Sequence, residues 1–186
     1  MPRQCPGAKA HERGDGSPVA STYDVAIVTG GSRGPGRTLA RTLASRGYAV
    51  VVVYLRNQRE AEATVEEILA AGGTAIAARA DVTDVLDVER GFDETAAMFG
   101  GVDVVVHTAL RGTAVVYERA AYQLHHGGAI VSVSSCDAIT PALAQELRTR
   151  DITVNGLAPG LEPPGAAHGV ADLVALLDRW RGRPGA

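Results

Sequence analysis

Residues 25–36 read Val25-Ala26-Ile27-Val28-Thr29-Gly30-Gly31-Ser32-Arg33-Gly34-Pro35-Gly36. A short apolar run, suited to a buried strand, leads into a glycine-rich turn, and an amphipathic stretch follows. Glycine permits a tight turn and lets the backbone approach a ligand closely. The helix that opens at this turn presents unpaired N–H groups and the positive end of its dipole. Pro35 fits a first helical turn, where the missing N–H costs nothing. Strand, glycine turn and helix in this order form the phosphate-binding start of a βαβ unit.

Working outward, further apolar runs occur at Ala49–Tyr54, Thr74–Ala78, Val102–Val106, Ala129–Val133 and Thr153–Leu157. They are rich in Val and Ile and nearly continuous, the pattern of parallel strands buried on both faces. Amphipathic segments alternate with them, the clearest being Glu60–Ala71, which stops at Gly72-Gly73. The pattern predicts an α/β fold, a Rossmann-like doubly wound parallel sheet of about six strands. Residues 1–22 carry Pro, Gly and charge without apolar periodicity, and we expect a flexible tail before one domain spanning 23–186. They lack the apolar core of a signal peptide.

Composition narrows the function. Hydrophobic residues make up 46% of the 186 and charged residues 21%, with a net charge of −3. No basic block suggests nucleic acid, and no apolar run nears the ~18 residues of a membrane span. Cys5 and Cys136 build neither a disulfide framework nor a metal site, so a reducing, cytoplasmic setting is expected. Of 18 Lys and Arg residues, Lys9 is the only lysine. Mechanisms that need a lysine within the folded domain are thereby excluded.

The chain resembles the short-chain dehydrogenase/reductase family. Thr29, Gly30, Gly34 and Gly36 match its T-G-x-x-x-G-x-G fingerprint. Asp81-Val82, after the third strand, resembles the family's adenine-side aspartate, and Gly128–Ser135 resembles the fifth strand, ending on the catalytic serine position at Ser135. Ile152–Asn155 and Ala158-Pro159-Gly160 resemble the sixth strand and its exit. The resemblance implies that Thr29, Gly30, Ser32, Arg33, Gly34, Gly36, Arg56, Asp81, Val82, Pro159 and Gly160 line a dinucleotide site. An NAD site needs an acidic residue at the end of the second strand. Here that end reads Tyr54-Leu55-Arg56-Asn57. Arg33 and Arg56 suit a ribose 2′-phosphate, so NADP(H) is the expected cofactor.

The chain departs from the family at the chemistry. The Tyr-x-x-x-Lys pair has no counterpart, because Ser135 runs through Cys136–Pro141 straight into Ala142–Leu147. The crossover helices on both sides of the fifth strand are expected to be shortened. The family's helical asparagine is missing, Leu110 stands where a glycine normally lets the cofactor pass, and no threonine follows Gly160 to hold a carboxamide. Replacement catalysts are Ser135 and His107, the latter ending the fourth strand on the ligand edge. A packed histidine is the competing reading of His107. Tyr122 and His126 stand at one-turn spacing, yet a solvated helix end explains them as well. Asp137 is a further base candidate or a plain turn residue.

Three functions fit this pattern: an atypical NADP(H)-dependent reductase of a small carbonyl substrate, a non-redox cyclase, dehydratase or isomerase, or a non-catalytic nucleotide- or partner-binding relative. The family commonly assembles through the helices flanking the fifth strand. Thr113–His126 and Thr140–Arg150 are what remains of them, so we expect a homodimer.

Overall fold

The computed structural model describes residues 9–12, 18–21, 23–109, 111–133 and 139–156. Within the segment expected as a tail, β1 (Lys9–Glu12) and β2 (Pro18–Ser21) pair antiparallel, Lys9 opposite Ser21. Four-residue strands are too short to carry a readable apolar alternation.

Six parallel strands form the central sheet: β3 (Val25–Thr29), β4 (Ala49–Tyr54), β5 (Thr74–Arg79), β6 (Val102–His107), β7 (Leu124–Ser132) and β8 (Thr153–Gly156). Their order, β5-β4-β3-β6-β7-β8, reverses direction between β3 and β6. In such sheets ligands bind at the carboxyl ends of the strands beside the reversal. There Thr29 lies in register with His107.

Helices α1 (Gly34–Ser45) and α2 (Gln58–Ala70) cover one face of the sheet, and α3 (Val85–Phe99), α4 (Thr113–Gln123) and α5 (Pro141–Thr149) cover the other. Successive strand residues serve opposite layers. Ala26, Val28, Val50, Val52, Val104 and Val106 pack with Leu39, Leu43 and Ile68. Ile27, Val51, Val105 and Ile130 pack with Val88, Phe92, Tyr117, Leu143 and Leu147. Burying each Val, Leu, Ile or Phe side chain among these stabilises the fold by roughly 1.5–3 kcal/mol. The termini of α3 follow from its sequence: the Asp84 carboxylate accepts from the Asp87 amide, and Gly100 ends the helix at φ 94°.

The strand starting the last third of the sheet differs from expectation. β7 begins at Leu124 rather than Ala129, and α4 ends at Gln123, so His126 lies in a strand. The Arg150 guanidinium donates to the carbonyls of Ala121 and Leu124, capping α4 there. Tyr122 and His126 therefore do not share a helical turn. Between Val102 and Val104 the β6–β7 register shifts. At this amino edge the buried Asp103 carboxylate accepts from the Val25 amide (2.7 Å) and pairs with His125 Nδ1 (2.9 Å), joining three strands.

Candidate nucleotide site

The glycine turn closes over the carboxyl edge by contacts that leave no room for a side chain at Gly30 or Gly36. Gly30 has φ 69°, and a Cβ there would lie 2.6 Å from Thr108 Oγ1. A Cβ on Gly36 would lie 2.3 Å from the Gly30 carbonyl oxygen. Thr108 holds the turn from the neighbouring strand end, its hydroxyl donating to the Thr29 carbonyl at 2.7 Å. The Gly30 amide donates to the Val53 carbonyl at 3.1 Å, fastening the turn to β4. Neither α1 nor α2 has a side-chain N-cap bond, and the first turn of α1 has no acidic residue. Both helix starts flank one cleft of about 270 Å³.

The cleft is built from the turn (Gly30, Ser32, Arg33), the end of β4 and its exit (Val53, Tyr54, Leu55, Arg56, Asn57), and Ala80, Val82 and Ala109. No carboxylate is among these residues, and Arg33 and Arg56 are both exposed at its rim. Asp81 sits between two lining residues, but its Oδ1 accepts from the amide (2.9 Å) and hydroxyl (2.7 Å) of Thr83. The Thr83 hydroxyl bond chiefly, with smaller help from the Arg56 charge, holds this carboxyl below the usual aspartate range. Val82 presents its carbonyl to Gly112, where a Cβ would come within 2.0 Å. Larger clefts of about 620 and 470 Å³ open at the amino edge, beside Gly47 and Gly101. They lie away from the strand ends where this sheet type binds ligands, and in the first of them Thr42 and Ser45 donate to backbone carbonyls of α1.

His107 is fully buried beneath the cleft. Its Nδ1 lies 2.8 Å from Thr29 Oγ1 and its Nε2 3.2 Å from Thr113 Oγ1. The ring meets Tyr117 edge to face, with centroids 5.9 Å apart. Burial pushes its pKa down from 6.5 to about 4, opposed by a bond to the Arg111 carbonyl. The Thr29 hydroxyl also accepts from the Thr108 amide at 3.3 Å, so strand-end backbone, hydroxyl and imidazole form one network.

Of the residues singled out from sequence, Thr29, Gly30, Ser32, Arg33, Gly34, Gly36, Arg56, Asp81, Val82 and His107 gather at this edge. Ser135, Asp137, Pro159, Gly160, Leu110 and Cys136 lie outside the described residues. Sequence reading missed Thr108, Thr113 and Thr64. Unlike Thr29 these three threonines fall in no motif, and their partners lie 79, 6 and 32 residues away.

A doubly wound sheet with a glycine turn at its reversal point defines a nucleotide-binding α/β protein. Residues 24–121 match the short chain dehydrogenase family. A 3-oxoacyl-[acyl-carrier-protein] reductase of Staphylococcus aureus is 33% identical, over 73% of this chain and 73% of that protein. A short chain dehydrogenase from Burkholderia cenocepacia, solved in complex with NADP, superposes with TM-score 0.69 at 30% identity, covering 87% of this chain and 91% of that one. A metagenomic blue fluorescent protein, solved in complex with NADPH, gives TM-score 0.66 at 27% identity, over 82% of this chain and 81% of that one. The chain belongs to the short-chain dehydrogenase/reductase family. Among the described residues, no helix is long and apolar enough to cross a membrane.

Proposed function

We propose that this chain is an NADP(H)-binding family member that reduces a small carbonyl compound without the family's Tyr–Lys pair. The observation that carries the cofactor is the cleft itself, with two arginines at its rim and no carboxylate among the described residues that line it. The fit is supported by the cradle at Gly36, which excludes even a methyl group, and by two helix starts without side-chain caps. Backbone amides at α1 suit a pyrophosphate, and the Arg33 and Arg56 guanidiniums suit a 2′-phosphate. The NADP and NADPH complexes of the two structural relatives point the same way.

When bound, the reduced cofactor supplies a hydride to the carbonyl carbon. Ser135, three residues beyond the end of β7, is the residue we assign to hydrogen-bond the carbonyl oxygen. The proton for the resulting alkoxide comes from water, since His107 is uncharged at neutral pH and both its nitrogens are engaged. His107 is accordingly a positioning residue, holding Thr29 under the turn and Thr113 at the start of α4. Without a paired tyrosine and lysine, turnover is slower than in the family at large. Positioning alone still sustains hydride transfer.

A second reading, nucleotide binding without turnover, draws on the lack of any lysine after Lys9. Calorimetric titration with NADPH and NADH, followed by NADPH absorbance over a carbonyl panel, separates the two. Preferential NADPH binding with oxidation supports the reductase, and binding with no oxidation selects the second reading. Equal affinity for both cofactors at low salt overturns the NADP(H) assignment.

A further inference from the structure

Arg33 carries a counter-ion from the chain itself. Its Nε lies 3.9 Å from Glu60 Oε2, with the two side chains 71% and 48% exposed. Glu60 occupies the first turn of α2, just after the Arg56-Asn57 segment at the cleft rim. The backbone that presents it is tied to the phosphate turn. The fully buried Thr64 hydroxyl donates to the Glu60 carbonyl at 2.9 Å and reaches the Ser32 carbonyl at 3.4 Å. One interior hydroxyl thus joins the backbone of the segment that carries Glu60 to the turn residue preceding Arg33, while the two side chains themselves stay exposed. Two other acids of α2 are occupied elsewhere: Glu62 accepts from Gln58, and Glu67 pairs with Arg37 and Arg41.

We infer that Glu60 sets how strongly this site discriminates 2′-phosphorylated adenosine ligands from 2′-hydroxyl ones, by competing with the 2′-phosphate for Arg33. The inference rests on the NADP(H) reading above. A phosphate and a carboxylate seek the same guanidinium, and only one can hold it in good geometry. A ligand with a plain ribose makes no demand on Arg33, so Glu60 leaves its affinity unchanged. The pair is exposed and screened, which sets the scale. Ion pairs of this kind are worth about 0.2–1 kcal/mol, so releasing Arg33 changes affinity by about 1.5- to 5-fold. The change shrinks as salt shortens the Debye length.

The test uses 2′,5′-ADP and 5′-ADP, which differ only in the 2′-phosphate, titrated calorimetrically into the full chain at low salt. Glu60→Gln is expected to tighten 2′,5′-ADP about threefold and leave 5′-ADP unchanged. In an Arg33→Gln background the same substitution is expected to have no effect on either. Circular dichroism melts of each variant confirm that α2 is intact, because Gln retains helix propensity at this exposed position. An equal shift for both ligands, or a full effect surviving in Arg33→Gln, overturns the inference. A wild-type preference for 2′,5′-ADP that Glu60→Gln leaves unaltered overturns it while sparing the NADP(H) reading. Failure of the wild type to bind either ligand overturns both.

Discussion

Acid should destabilise this protein through one histidine. In the native state His107 is enclosed and neutral, with a pKa lowered from 6.5 to about 4. In the unfolded chain it titrates near 6.5. Between these values the unfolded state binds the extra proton, so stability rises with pH there. The contribution is complete above pH 6.5, falls as pH drops toward 4, and is flat below. The shift from 6.5 to about 4 corresponds to about 3 kcal/mol in total. About 2 kcal/mol of it is gone by pH 5. That is a large fraction of a typical domain's margin of 5–15 kcal/mol.

Urea denaturation followed by far-UV circular dichroism at pH steps from 7.5 to about 4.5 measures this. His107→Asn supplies the comparison, since an amide keeps a donor and an acceptor but does not titrate. At neutral pH the variant is expected to be less stable, having lost buried ring contacts. Its stability should decline less steeply on acidification, by about 2 kcal/mol between pH 7.5 and 5. Subtracting the two curves cancels the other histidines. Asp81 and Asp87, both lowered by hydrogen bonds, lose their contribution in a separate window below the usual aspartate value. Parallel curves for wild type and His107→Asn would refute the reasoning, showing that the ring is hydrated and charges freely.

Gly36→Ala places a methyl 2.3 Å from the Gly30 carbonyl oxygen, and is expected to abolish nucleotide binding in calorimetry. The strain should also cost about 1–3 kcal/mol in urea denaturation. Thr140→Ala removes the hydroxyl that accepts from the Leu143 amide at 3.2 Å, and should lower stability by about 1 kcal/mol in the same assay. Sedimentation at micromolar concentration is expected to give a dimer mass, because α4 and α5 are short and Met98 and Tyr122 stand exposed. A clean tetramer mass would show that the short helices still support larger assembly.

The sheet was readable because its strands are Val- and Ile-rich runs bounded by Gly and charge, and Ala49–Tyr54 matches residue for residue. The α4–β7 junction was not. Leu124-His125-His126 continues a helical pattern locally, and the helix stops because Arg150, from after α5, takes its last carbonyls. Such a cap depends on contacts 26 and 29 residues distant, which no local periodicity encodes. The place of His107 at a strand end was equally legible, but its environment was not. Whether a strand-end histidine faces ligand or core depends on the next helix. Here Tyr117 and Thr113, both on α4, close over it.

The division of labour in the cleft follows from where its parts are anchored. The turn is fixed by groups buried in the domain: Thr29 on His107, Ser32 on Thr64, Gly30 on Val53. Each bond lies between strands or helices that the hydrophobic layers already hold, so the ligand need not order them on binding. The charges proposed for recognition, Arg33 and Arg56, are by contrast exposed and adjustable, and substitutions there are expected to alter preference without touching the core. Proton-transfer residues belong to neither group. They must be placed at the reacting atom to within a fraction of an ångström, by helices such as α4 and α5. The turn is anchored on β3, β4, β6 and α2, so on the proposed reading ligand choice is tuned at the rim and geometry is set below it.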